Sequence, residues 1–292
     1  MSTLLDKTTI DSTGTRSHTE LGPAPALPTG VPKVSVIVPT LNEAENLPIV
    51  FGMLPDGLHE VIVVDGRSTD DTIEVAKRLR PDVKIVLEER PGKGHALAAG
   101  FAAATGDILV MLDADGSADP AEIERYIQPL LEGADFAKGS RFLPGGGSSD
   151  ITPLRRLGNA VLCGITNHWF GTSYSDLCYG YNAFWRHCLP AMDVDCAGFE
   201  VETLINIRIA KAGLKIAEVP SFEFDRIHGE SNLNAFKDGL RVLRTILKER
   251  FLGDTRRSRR SSDERPTDEP ASVTRLADRR RADADVRLDA AA

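Results

Sequence analysis

The sequence predicts an α/β protein, a mainly parallel sheet flanked by helices, in a single domain with disordered termini. Three observations predict it. Short apolar runs of strand length alternate with helical patterns between about residues 31 and 252. The spacing of these runs suits βαβ units with right-handed crossovers. Several runs end abruptly in carboxylates, and the carboxyl edge of a parallel strand is where open α/β sheets bind ligands.

In chain order, residues 34–38 read as a strand ending at Pro39. A helix follows over 43–51, with Asn42 as its candidate cap. A second strand over 60–64 ends at Asp65, and a helix over 69–79 follows with Ser68 as its cap. Residues 83–87 form the third strand and 94–105 an Ala-rich helix. The run 107–112 is the fourth strand, apolar without alternation and therefore buried on both faces. A helix over 121–131, a short strand over 134–138 and an amphipathic helix over 234–252 complete the pattern. Residues 1–30, rich in Ser, Thr, Gly and Pro, read as a disordered leader. Residues 253–292, with Arg runs at 256–260 and 279–281, read as a disordered charged tail.

The 292 residues suffice for one large core, and 41% hydrophobic content fits a folded domain. The net charge of −8 argues against nucleic-acid binding, which favours a basic footprint. Local arginines still leave room for an anionic ligand. Cys163, Cys178, Cys188 and Cys196 form no Cys-x-x-Cys pair, which favours reduced thiols over zinc or disulfides. His95, His168, His187 and His228 show no metal-ligand spacing. No run of 18 apolar residues and no signal-peptide pattern occurs, so the expectation is a cytoplasmic protein, reaching any lipid from the membrane's inner surface.

The chemistry gathers at strand ends. Pro39-Thr40-Leu41-Asn42-Glu43 follows the first strand, Asp65-Gly66-Arg67-Ser68-Thr69-Asp70 the second, and Asp113-Ala114-Asp115 the fourth. Neighbouring strand ends would bring these groups into one crevice. Two hard carboxylates separated by one small residue suit Mg²⁺ or Mn²⁺ shared with a phosphorylated substrate. An acidic turn after a strand is the plainer reading of Asp113 and Asp115 taken alone. No Gly-x-x-x-x-Gly-Lys loop is present, and no Gly-x-Gly-x-x-Gly follows the first strand, which weakens ATPase and dehydrogenase readings.

These motifs, in this order and with Gly92-Lys93-Gly94 opening a helix, resemble the family-2 glycosyltransferases. Within that family the chain is similar to the dolichyl- and polyprenyl-phosphate mannosyltransferases and glucosyltransferases, over about residues 33–250. The resemblance implies a GT-A fold, an NDP-sugar donor such as GDP-mannose or UDP-glucose, a divalent metal, and inversion at the anomeric carbon. It divides the domain, 31–252, into a nucleotide-binding half (31–140) and an acceptor half (141–252). It puts Pro39, Thr40, Glu43 and Asp65 in the nucleoside pocket, Lys93 and Asp113 on the donor, and Asp113 and Asp115 on the metal. Arg141 and Arg226 become catalytic phosphate contacts, and Arg155, Arg156 and Ser231 acceptor-phosphate contacts. The chain departs from the family at Gly66, where a second acid is usual, at Asn182, where Arg is usual, and at Asn232, where Lys is common.

If the acceptor is a polyprenyl phosphate, its oxygen is already anionic and needs little help from a base. Positioning and charge stabilisation then carry most of the catalysis. If the acceptor is a saccharide or small-molecule hydroxyl, a carboxylate base is required. Asp176, Glu200 and Glu202 are then the candidates, with helix capping as their plain role. A catalytically silent nucleotide-sugar binding module is the third reading. The glycines at 145–147 suggest a flexible lid, or a plain linker. The helix over 234–252 carries Phe236, Leu240, Leu243, Ile246, Leu247 and Phe251 against Lys237, Arg241, Arg244, Lys248 and Arg250. It fits docking on the domain or peripheral contact with a membrane surface.

Overall fold

The computed structural model describes residues 32–229 and 235–251. The expected leader, the expected tail, and Ser231 and Asn232 lie outside the described residues.

Four parallel strands form the first half: β1 (Val34–Thr40), β2 (Glu60–Asp65), β3 (Lys84–Leu87) and β4 (Ile108–Met111). They are joined by α1 (Leu47–Gly52), α2 (Thr72–Leu79) and α3 (Lys93–Ala103). A short 3-10 turn at Pro120–Glu122 leads into α4 (Ile123–Leu131) and β5 (Phe136–Ser140). Next come β6 (Gly147–Ser148), α5 (Pro153–Phe170), β7 (Asn182–Trp185), α6 (Leu189–Met192) and α7 (Val201–Lys211). The described part closes with β8 (Ile216–Pro220), β9 (Phe222–Glu223) and α8 (Ala235–Phe251). The main sheet has the order β3-β2-β1-β4-β7-β5-β8, with β7 antiparallel to both of its neighbours. β6 and β9 pair as a separate parallel ribbon.

Burial on both faces explains the unbroken apolar runs. Val36, Val38, Val61, Val63, Ile108 and Val110 point to one face, where Leu47, Val75 and Ile127 cover them. Ile37, Ile62, Val64, Leu109 and Met111 point to the other, under Leu97, Phe101, Val201 and Ile205. This is the period-two alternation of a strand with two greasy sides. A third cluster, of Cys163, Tyr174, Ile207, Val242 and Ile246, fastens α5 and α8 to α7.

The structure moves several expected boundaries. The helix expected over 43–51 starts at Leu47, after a turn in which the Asn46 and Leu47 N–H groups both donate to Glu43 O, and Asn42 takes the left-handed conformation (φ 59°). Asn42 caps nothing of its own helix. Its Oδ1 accepts from the Thr69 backbone N–H at 2.8 Å, while its N–H donates to Ser68 Oγ at 2.9 Å. Ser68, expected as a cap for the next helix, is spent on that cross-brace. α2 starts at Thr72, whose N–H donates to Asp70 Oδ1 at 3.1 Å.

The glycines at 145–147 form no free lid. Gly147 and Ser148 pair with Phe222 and Glu223, the Gly146 N–H donates to Leu143 O, and the Ser149 N–H donates to Glu223 O. The sequence reading assigned no helix to Pro153–Phe170, although its ends are well marked. The Thr152 side chain accepts from Arg155 N, Pro153 holds the first position, and Gly171 (φ 67°) ends it. α8 does dock on the body, but with a different face from the expected one. Asp238, Val242, Thr245, Ile246 and Glu249 are buried, while Leu240, Leu247 and Phe251 are exposed beside Lys237 and Arg244. Glu249 faces inward because Arg208 and Lys211 of α7 meet it, at 2.9 and 3.3 Å.

A candidate active site at the carboxyl ends of the strands

The strand order brings the three expected strand ends together. β1 lies between β2 and β4, with Thr40 opposite Asp65 and Ile37 opposite Met111. Asp113 and Asp115 follow β4 and face a cavity of about 630 Å³. Both are partly exposed, at 33% and 20% of their side chains. Asp115 is held in place by its own turn: Oδ1 accepts from Ser117 N at 3.0 Å and Ser117 Oγ at 2.7 Å.

Asp65 is 2% exposed, and its Oδ1 accepts from the N–H groups of Arg67 and Ser68. Its Oδ2 is buried with no partner in the protein, which is costly unless a ligand supplies one. Thr40 and Glu43 are buried beside it, and Pro39 is half-buried. Two motif loops are stitched together here. Asp70 Oδ2 accepts from Ala44 N at 3.1 Å, and Thr72 Oγ1 accepts from Glu43 N at 2.9 Å.

The segment after β9 crosses over this edge. Phe224 N donates to Ser117 O and Ile227 N to Asp115 O. Asn46 grips the backbone of His228 from both sides, at 3.0 and 3.2 Å. Arg226 is thereby set between two acids, 3.2 Å from Glu43 Oε1 and 3.4 Å from Asp115 Oδ2. Burial pushes the Glu43 carboxyl above its usual value, and the hydrogen bond from Asn46 and the charge of Arg226 offset only part of that rise.

Lys93 opens α3. Gly92 before it has φ 109°, and a Cβ on Gly94 would lie 2.2 Å from Cys196 O. The glycines therefore let the helix start pack against the backbone at 196–197. Lys93 Nζ lies 2.7 Å from Asp113 Oδ1 and 2.7 Å from Glu202 Oε1. Burial pulls its ammonium down, but Asp113 and Glu202 more than offset this and raise it.

Other expected residues are placed differently. Arg141, expected on phosphate, and Asp176, expected as a base, are each other's partners. Arg141 Nε and Nη2 donate to Asp176 at 2.7 and 3.0 Å, and Nη1 donates to Glu223 at 3.0 Å. Glu202 is occupied by Lys93, and Glu200, which accepts from Gly198 N at 3.2 Å, does not line the cavity. Asp176 and Glu202 are thus each held by a cation of the protein, while Glu200 keeps a buried, unpartnered Oε2 that lies away from the cavity lining. Arg155 lines the cavity and pairs with Asp150 at 2.6 Å, whereas Arg156 is exposed and stacks on Phe142. Sequence reasoning missed the Lys93–Glu202 pair and the grip of Asn46; both join residues far apart in the chain.

Beyond the carboxylates the cavity becomes apolar. Leu154, Leu157 and Val161 of α5 face Leu240 and Leu243 of α8 along its wall. Among the described residues no three His, Cys, Asp or Glu side chains converge into a metal cage. Asp113 and Asp115 instead fit an ion that completes its shell with phosphate oxygens and water, as Mg²⁺ does.

Residues 35–191 match the profile of Glycosyl transferase family 2. The glycosyltransferase AglJ of Haloferax volcanii is 32% identical over 212 residues, covering 70% of this chain and 68% of that protein. The polyprenol monophosphomannose synthase of Mycolicibacterium smegmatis is 34% identical over 230 residues, covering 73% of this chain and 85% of that protein. Among solved structures, glucosyl-3-phosphoglycerate synthase from Mycobacterium tuberculosis, in complex with Mn²⁺, UDP and glucosyl-3-phosphoglycerate, aligns with a TM-score of 0.59 and 28% identity, covering 75% of this chain and 80% of that one. The chain belongs to glycosyl transferase family 2 and is a glycosyltransferase with the GT-A fold.

Proposed function

We propose that the protein transfers a hexose, mannose or glucose, from GDP-mannose or UDP-glucose to a polyprenyl phosphate, with inversion and with Mg²⁺ or Mn²⁺. One observation carries the acceptor: the cavity at Asp113 and Asp115 runs directly into an apolar gutter between α5 and α8. A small polar acceptor has no use for walls of Leu154, Leu157, Val161 and Leu240, whereas an isoprenoid buries them. The name of the Mycolicibacterium smegmatis relative, a polyprenol monophosphomannose synthase, agrees with that class.

In this reading the nucleoside lies over Pro39, Thr40 and Glu43, with the unpartnered Asp65 Oδ2 accepting a hydroxyl or base N–H. Asp113 and Asp115 would hold the ion, which supplies positive charge to the departing diphosphate. Arg226 holds phosphate from the crossing segment, and Arg155 meets the acceptor phosphate at the mouth of the gutter. The acceptor oxygen attacks the anomeric carbon as an anion. No proton has to be removed, which agrees with Asp176 and Glu202 being paired with Arg141 and Lys93 and with Glu200 lying away from the cavity lining.

The same edge supports contact with a membrane. Leu154, Leu157, Val161, Leu240, Leu247 and Phe251 are exposed on α5 and α8, with Lys237 and Arg244 between them. Such a mixed apolar and basic stripe suits an anionic lipid surface, here the cytoplasmic face of the cell membrane. No described helix is long and apolar enough to cross one.

The test is transfer with a panel of NDP-sugars, with and without Mn²⁺ and polyprenyl phosphate. The expected product is a polyprenyl phosphohexose formed only with the ion. Transfer to a saccharide or to phosphoglycerate but never to the lipid phosphate would overturn the acceptor. Nucleotide binding without turnover of any donor would leave only the silent-module reading.

A further inference from the structure

Each carboxylate assigned to the ion already has a cation of the protein on it. Lys93 Nζ sits 2.7 and 2.8 Å from the two oxygens of Asp113, and Arg226 Nη2 sits 3.4 Å from Asp115 Oδ2. Neither cation depends on that carboxylate alone. Lys93 also holds Glu202 at 2.7 Å, and Arg226 also holds Glu43 at 3.2 Å. The Lys93 group is packed tightly. Its side chain is 13% exposed and that of Glu202 3%, and a Cβ on Gly180 would stand 2.9 Å from Lys93 Nζ, 3.0 Å from Asp113 Oδ2 and 3.3 Å from Glu202 Oε1.

A bare divalent ion must therefore displace two resident cations and leave their charges beside its own. A nucleoside diphosphate reverses that balance, because its oxygens accept the cations as the carboxylates turn to the ion. We infer that Lys93 and Arg226 are resident counter-ions that make divalent-ion binding conditional on the diphosphate, and that Glu202 is the positioning residue that keeps Lys93 in place during the exchange. The inference rests on Asp113 and Asp115 being the ion site. Glu202 suits the role because a carboxylate this buried needs its cation, so the Lys93 stem stays anchored when Asp113 lets go. The coupling is reciprocal: the ion must tighten nucleotide binding by the same factor that the nucleotide tightens ion binding.

The experiment measures free Mn²⁺ by electron paramagnetic resonance over the full chain, alone and with GDP or UDP. The wild type is expected to bind Mn²⁺ weakly alone and about tenfold or more tighter with nucleotide, within the usual range of such couplings. The double variant Lys93→Met/Glu202→Gln removes the ammonium and its buried partner together, so that no fully buried charge is stranded and only the partly exposed Asp113 loses its cation. It should bind Mn²⁺ alone about tenfold tighter than wild type and lose most of the nucleotide effect. Glu202→Gln alone should weaken Mn²⁺ binding in the absence of nucleotide, because Lys93 then leans wholly on Asp113. Equal Mn²⁺ affinity with and without nucleotide in the wild type, or an unchanged double variant, overturns the exchange. Nucleotide binding with no Mn²⁺ uptake under either condition overturns the ion site itself, and the inference with it.

Discussion

Arg141 and Asp176 form a two-point ion pair, 2.7 and 3.0 Å long, with Asp176 fully buried. The pair ties the end of β5 to the loop before β7. Through Glu223, which also accepts from Ser148 Oγ at 2.6 Å, it reaches the β6–β9 ribbon. Asp176→Asn is expected to cost about 3 kcal/mol, because it takes from a buried guanidinium its two-point charge partner and leaves it only Glu223. Urea unfolding with an unchanged m-value measures this. The folded fraction should keep its kcat; a loss of the order of a hundredfold or more would restore Asp176 as a base. The pH dependence has a definite sign. Burial alone would raise the Asp176 carboxyl, and Arg141 more than offsets that and holds it below 3.8. The stabilisation is therefore complete above the ordinary carboxylate value and is lost as the pH falls through the lower folded value.

This pair also shows what the sequence reveals and what it hides. The first half was legible because β1, β2 and β4 are apolar on both faces and end in acids, so pattern and chemistry coincide. The places of Asp113, Asp115, Thr40, Glu43 and Asp65 at strand ends were legible in the sequence, while the roles expected of them came from the family resemblance. The second half hid most of its sheet. The short strand expected over 134–138 is β5, but β7, which opens on Asn182, and β8, which carries Glu218, show no clean apolar run and were not expected. α5 escaped notice because its outer stripe, Leu154, Leu157 and Val161, is as apolar as a buried one. No periodicity reports that Arg141 finds Asp176 or that Lys93 finds Glu202. Such pairs are set by the fold, and a motif shows only that the residues are charged.

Asp70 is expected to control nucleoside affinity without touching the nucleoside. Its carboxylate accepts from Ala44 N and Thr72 N and so fixes the loop after β1 against the loop after β2. Burial would raise its pKa, but the hydrogen bonds from Thr72 and Ala44 lower it overall. The brace therefore stays intact through neutral pH and fails only in strong acid. Asp70→Ala frees two backbone donors, each worth about 1 kcal/mol. Titration calorimetry should show Kd for GDP or UDP rising about tenfold. An unchanged Kd would remove Asp70 from the pocket's support.

The gutter makes a separable prediction. Leu157 lines the cavity and is 63% exposed, so Leu157→Asp should fold normally. The change takes away about 1.5–3 kcal/mol of isoprenoid burial. KM for polyprenyl phosphate should rise about tenfold, while nucleotide binding and slow donor hydrolysis stay as they were. Leu240→Asp on the facing helix should act alike. Equal damage to donor binding would mean that the wall is structural and not an acceptor surface.

Asp115→Asn isolates charge from shape. The amide oxygen of an asparagine can still accept from Ser117 N and Oγ, so the turn after β4 should survive and the melting temperature should stay close to wild type. What is lost is the negative charge facing Arg226 and one hard oxygen of the pair with Asp113. Turnover should fall about a thousandfold, the scale of removing a preorganised charge from a developing leaving group. Added Mn²⁺ should not restore it, whereas wild-type enzyme inactivated by a chelator should recover fully when Mn²⁺ is returned. Nucleotide binding without the ion should weaken little in the variant, because Arg226 is then freed from one of its two acids. An Asp115→Asn enzyme that keeps near-normal turnover would rule out the carboxylate as an ion ligand and shift the charge-stabilising role to Arg226 and Lys93.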